Sequence, residues 1–174
     1  EIQAKHRILE RGQRVVDLGC WPGGWLQVAS GIVGPSGRVV GVDIAPIEPS
    51  LELANMIAIS ADISQPGVVE RILEALGGKA RVLLSDASPK LTGIRATDRA
   101  REEELLDVIA ALIPALLEPG GDLLLKLFDG PEADAAAKAI GRHFEKTIGT
   151  RPEASRKGTS ERYLLARGLR GPGA

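Results

Sequence analysis

Short runs rich in valine and isoleucine alternate along this chain with stretches whose apolar residues recur at helical spacing. Residues 14–18 read as a strand, 24–33 as a helix and 38–43 as a second strand, entered through the turn Gly34-Pro35-Ser36-Gly37. A third strand is predicted over 56–60, then a helix over 68–76 stopped by Gly77-Gly78. Residues 81–85 form a fourth strand. Leu105, Leu106, Ile109, Leu112, Ile113, Leu116 and Leu117 mark one face of a long helix that ends before Pro119-Gly120-Gly121. A fifth strand over 122–128, a helix over 132–144 and two last strands over 146–150 and 162–167 complete the pattern. Strands separated by helices pair in parallel through right-handed crossovers. The fold class is therefore α/β, a Rossmann-like, seven-stranded, mostly parallel sheet with helices on both faces. The last strand, with no helix before it, is antiparallel. A single domain is expected over 1–168, with a flexible tail over 169–174.

Composition narrows this only a little. Apolar residues make up 44% and charged residues 26% of the 174, a balance that argues against a disordered chain. No apolar run approaches the ~20 residues that span a bilayer, so no membrane partner is expected. Cys20 is the sole cysteine, and His6 and His143 stand far apart, so neither a disulfide nor a metal site is predicted. Net charge is −1, yet the charge is uneven. Residues 151–174 carry six basic and two acidic side chains, and 88–101 carry four basic and one acidic. Two such segments are either solvated loops or, if they meet, an electrostatic footprint for nucleic acid.

In doubly wound sheets, ligands sit beyond the carboxyl ends of the strands, over the first strand–helix loop. That loop here runs Asp17-Leu18-Gly19-Cys20-Trp21-Pro22-Gly23-Gly24-Trp25. Its three glycines let a ligand approach the backbone, but Cys20 and Trp21 interrupt the dinucleotide fingerprint, so a pyrophosphate cofactor is disfavoured. Asp43 ends the second strand, where an acid commonly accepts hydrogen bonds from ribose hydroxyls, and Asp62 follows the third. Either acid alone is more often a cap or turn residue. With the glycine loop they describe a nucleoside pocket without phosphates, which suits S-adenosylmethionine. Asp86 ends the fourth strand, and Lys126 sits inside the apolar run Leu123-Leu124-Leu125-Lys126-Leu127-Phe128, where a lysine either snorkels at an edge or is held for function. If the final strand lies antiparallel beside the fifth, Glu161, just before it, joins Asp86 and Lys126 on one rim. Such a trio is either proton-transfer machinery or an ion-pair cluster closing the sheet.

Taken in order, these residues together with Ser85-Asp86-Ala87-Ser88-Pro89, Lys126-Leu127-Phe128 and Ser160-Glu161-Arg162-Tyr163 resemble the FtsJ-type (RrmJ-like) ribosomal RNA ribose 2′-O-methyltransferases over nearly the whole chain. The resemblance implies S-adenosylmethionine as donor and a uridine ribose of large-subunit ribosomal RNA as acceptor. It implies cofactor contacts at Gly23, Trp25, Asp43, Asp62 and Asp86. Of the family's Lys-Asp-Lys-Glu tetrad, the last three fall on Asp86, Lys126 and Glu161. The first lysine has no counterpart and is expected upstream of Glu1, on the reading that an N-terminal segment is missing. Trp21 stands where the family usually has a small residue. Lys90, Arg95, Arg156 and Lys157 are expected to hold RNA phosphates, and the protein to work as a cytoplasmic monomer. The rival readings are a methyltransferase acting on a small molecule or protein, and a non-catalytic RNA-binding module. The first would have no use for Lys126 or the basic segments.

Overall fold

Strands that are apolar on both sides need cover on both faces, and the computed structural model provides it. It describes residues 1–47, 53–152 and 161–171. The elements run α1 (Ile2–His6), β1 (Arg14–Leu18), α2 (Gly24–Val33), β2 (Arg38–Asp43), β3 (Met56–Ser60), α3 (Val68–Leu76) and β4 (Ala80–Ser85), then α4 (Arg95–Leu116), β5 (Leu117–Phe128), α5 (Pro131–Gly141), β6 (Phe144–Thr150) and β7 (Glu161–Leu169). All seven strands share one sheet in the order β3-β2-β1-β4-β5-β7-β6. β7 alone is antiparallel, slotted between β5 and β6.

Alternation along each strand divides the core. Val15, Val39, Val82, Leu84, Leu124 and Leu165 pack against Leu26, Ala29 and Val33 of α2 and against Ile8 and Leu9. Their neighbours Val16, Val40, Leu83, Leu123 and Leu125 face the other way, onto Ile72 of α3, Ile109 and Leu116 of α4, and Ile140 of α5. Each such side chain, once fully buried, contributes roughly 1.5–3 kcal/mol.

Several boundaries differ from the sequence reading. α4 starts at Arg95, ten residues before its apolar stripe, because the polar first turns are held from outside the core: Asp98 accepts hydrogen bonds from the Thr92 and Gly93 amides at 2.7 and 3.0 Å. β5 begins at Leu117, with a register shift between Ala80 and Val82 that spans the Pro119-Gly120-Gly121 bend. The helix expected to reach Phe144 stops at Gly141, and Phe144 instead opens β6, buried opposite Leu169. Leu169, assigned to a tail, is for the same reason part of β7, and the Arg170 amide donates to the His143 carbonyl at 2.8 Å.

Candidate functional site

The alternation that divides the core also sets the chemistry. Lys126 is two residues beyond Leu124, and Tyr163 two residues before Leu165, so both share the α2 face of the sheet. They are direct cross-strand partners in the β5–β7 ladder. Lys126 Nζ donates to the Asp86 carbonyl at 2.7 Å and lies 3.2 Å from Asp86 Oδ1. Tyr163 Oη donates to the same Oδ1 at 3.3 Å. The lysine side chain is 9% exposed and the aspartate 34%, so the ammonium is largely removed from water while its partner still faces the cleft. Burial, then the charges of Asp86 and Glu161, push the Tyr163 phenol upward, keeping it a donor. Glu161 is the first residue of β7 rather than preceding it, and pairs in register with Phe128. That makes it the diagonal neighbour of Lys126, at roughly 7–8 Å. Among the described residues no ion pair joins the two; the lysine's ionic partner is Asp86.

Across the cleft, the β2 and β3 ends present carboxylates. Asp43 accepts the Trp21 amide on Oδ2 at 2.9 Å and the Ala45 amide on Oδ1 at 2.8 Å. Asp62 accepts the amide and hydroxyl of Ser64 on Oδ1, at 2.9 and 2.7 Å, and these bonds pull its carboxyl below the usual range. Gly19, at φ 76°, cannot be replaced without collision: a Cβ there would sit 2.4 Å from the Ala87 Cα. This close approach seals the β1 loop against the β4 loop. The resulting cleft, about 410 Å³, takes in Trp21, Asp43, Asp62, Asp86 and Lys126.

Gly23 and Trp25 are placed elsewhere. Gly23 caps the start of α2 at φ 109°, and Trp25 packs its ring on Tyr163, centroids 5.7 Å apart, lining a second concavity of about 270 Å³. Lys90 and Arg95 are exposed where the chain passes from Asp86 into α4. Arg156 and Lys157 lie outside the described residues.

Two site residues escaped the sequence reading. Asp17 is wholly buried in β1, with no partner for either carboxyl oxygen among the described residues. Burial first, then Asp86 and Asp43, pushes it up to about 8. Its signal was a charged residue inside an apolar strand, the same signal that singled out Lys126. Tyr163 was visible as the sole tyrosine, two residues after Glu161 and so on one strand face with it.

A parallel sheet with its acidic cleft over the carboxyl ends and one inserted antiparallel strand defines a Rossmann-like methyltransferase. The family model of the FtsJ-like methyltransferases matches residues 1–169, and the chain belongs to that family. It is 39% identical over 171 residues to the ribosomal RNA large subunit methyltransferase E of Methanothermobacter thermautotrophicus, covering 98% of this chain and 81% of that protein. With the protein of the same name from Pseudomonas aeruginosa it shares 40% over 172 residues, 98% of this chain and 82% of the relative. Among solved structures, a Plasmodium falciparum protein described as a ribosomal RNA methyltransferase superposes with a TM-score of 0.83 at 22% identity, covering 98% and 93% of the two chains. Aeropyrum pernix fibrillarin, solved with S-adenosyl-L-methionine, gives 0.66 at 17% over 91% and 68%. At these identities the two structures speak for the fold.

The residues present suit that donor. The cleft offers three carboxylates, Asp43, Asp62 and Asp86, against one cation, Lys126. Such a lining repels phosphates and favours a nucleoside that carries positive charge. Asp43, with both oxygens already oriented by amides, is placed to accept from a ribose diol.

Proposed function

We propose that this protein transfers a methyl group from S-adenosylmethionine to a ribose 2′-hydroxyl of large-subunit ribosomal RNA, with a uridine as acceptor. The observation that carries the reading is the Lys126–Asp86 pair, nine-tenths buried at the lysine and set at the rim of an acidic nucleoside cleft. A methyltransferase acting on a ready nucleophile would have no use for a cation there. A ribose hydroxyl, by contrast, must be held and deprotonated.

When bound, the donor supplies an electrophilic methyl on a sulfonium centre. The chain's own groups do the rest. An ammonium has three N–H donors and no lone pair. One of those directions at Lys126 is taken by the Asp86 carbonyl, and the Asp86 carboxylate lies 3.2 Å away as its ionic partner. A remaining N–H points the acceptor oxygen and stabilises the negative charge growing on it as its proton leaves. That proton goes to a carboxylate of the same rim, Asp86 or Glu161. Tyr163, kept protonated, steadies Asp86 at the same Oδ1 that faces the lysine. Asp43 and Asp62 hold the donor nucleoside, with Gly23 and Trp25 supporting the loop that frames it. Alignment alone is worth about 7–11 kcal/mol in well-oriented reactions, so much of the rate comes from positioning.

Lys90 and Arg95, with Arg156 and Lys157, hold RNA phosphates, which position the substrate without reading its bases. No described helix is long and apolar enough to cross a membrane. The reading includes a monomer acting in the cytoplasm. Its test is methyl incorporation into ribosomal RNA, free and in the large subunit, with the modified atom mapped on the product. A ribose 2′-O-methyl is expected. Labelled protein or small molecule in place of RNA contradicts the reading, as does RNA binding without transfer.

A further inference from the structure

Trp21 is 58% exposed at the edge of the cleft, where the β1 loop crosses toward β2. Its surroundings are fixed. The Gly19 and Cys20 amides both donate to the Val42 carbonyl, at 2.8 and 3.3 Å, and the Cys20 side chain is buried. The Trp21 amide itself donates to Asp43 Oδ2. A loop anchored at three successive residues nonetheless leaves a large indole in water. Exposed apolar side chains scattered singly need no explanation. This one lines a cavity, beside the carboxylate best placed for a ribose, and Ile44 directly after that carboxylate is also left 73% exposed.

From these placements we infer that Trp21 is a wall of the donor pocket, covering the apolar face of the bound nucleoside while Asp43 holds its sugar. The sheet order decides between donor and RNA. β1 lies next to β2 and on the β3 side of β4, and the Trp21 hydrogen bond leans toward β2. The acceptor machinery of Lys126, Asp86 and Tyr163 stands on the opposite side, over β4, β5 and β7. A flat ring over a nucleoside excludes water from the Asp43 hydrogen bonds and slows release of the donor product. Trp21 thereby serves binding and not the proton.

The inference rests on S-adenosylmethionine being the donor, and the experiment separates the two. S-adenosylhomocysteine is titrated calorimetrically into the parent, Trp21→Ala and Trp21→Phe, and RNA affinity is measured at saturating S-adenosylhomocysteine. Acrylamide quenching of tryptophan emission in the parent is followed with and without S-adenosylhomocysteine. Trp21→Ala is expected to weaken S-adenosylhomocysteine about 2- to 12-fold, the range that ring contacts supply. Trp21→Phe, which keeps a ring, should recover most of that loss, and RNA affinity should stay within about 2-fold in both variants. S-adenosylhomocysteine should also shield the exposed indole from acrylamide. Unchanged affinity in Trp21→Ala, with no shielding in the parent, overturns the inference and leaves the proposed function standing. Loss of RNA affinity with intact S-adenosylhomocysteine affinity overturns it too, and makes Trp21 a stacking platform for a base. A parent that fails to bind S-adenosylhomocysteine overturns both.

Discussion

On the β2–β3 side of the cleft the acids are held mainly by backbone amides, most of them close in sequence. Asp62 is fixed by Ser64, two residues on, and Asp43 by the amides of Ala45, two residues on, and of Trp21, 22 residues back. On the β4–β5–β7 side nothing is local. Lys126 reaches Asp86 across 40 residues of sequence, and Tyr163 reaches it across 77. Carboxylates fixed by rigid amides make a pocket that is ready before a ligand arrives, which is what binding needs. Side chains fixed only by one another depend on the whole sheet closing in register. They yield a partly dry cation beside a solvent-facing carboxylate, which is what moving a proton needs.

If the two sides divide the work in this way, substitutions should separate binding from turnover. Asp43→Ala removes charged hydrogen bonds to the donor, each worth about 1.5–3 kcal/mol. S-adenosylmethionine affinity should fall by that amount, read by calorimetry, with the thermal transition little moved. Unchanged affinity in a folded variant would take Asp43 out of the pocket.

Asp17 sits beneath the division and should appear in stability. Its raised value means the folded protein keeps a proton that the unfolded chain releases between the ordinary carboxylate value and about 8. The contribution of this group is therefore full at low pH and is lost as pH rises to about 8. Asp17→Asn should flatten that decline. The variant's advantage over the parent should widen from pH 5 to pH 8 to about 1 kcal/mol or more, near 2–4 °C in Tm. A gap that stays constant with pH would mean that Asp17 is already ionised.

The smallest effect is expected at Tyr163. Its bond to Asp86 is long, so Tyr163→Phe, which keeps the packing on Trp25, should cost about 0.5–1.5 kcal/mol in kcat/KM and nothing in donor affinity. A larger loss confined to kcat would promote the phenol to a direct role in the transfer.

The same contrast governs what could be read from the chain. β1, α2, β2, β3 and α3 fall where expected because glycine turns or Asp43 bound them, and local chemistry is written in local sequence. The Asp86–Lys126–Glu161 rim was legible one step further, since sheet topology alone brings those strand ends together. The start of α4 was not, because residues 95–104 touch no core and are tied down by Asp98 to Thr92 and Gly93. Phe144 was misread because an alanine-rich helix ends at Gly141, three residues before an aromatic that fits helix or strand equally. The placing of Trp25 on Tyr163 depends on how α2 lies across the sheet, which no spacing encodes. For Asp17, the signal was present but went unused.

The division between a binding side and a transfer side is tested most directly by Lys126→Ala, with donor affinity and methyl transfer to ribosomal RNA measured on the same preparation. Losing the group that orients the acceptor oxygen should slow transfer ~100-fold or more. Donor affinity should stay within about 1 kcal/mol of the parent, because the lysine acts mainly in the transition state. A variant that methylates at the parental rate, or one whose transfer falls only because the donor no longer binds, would contradict the account.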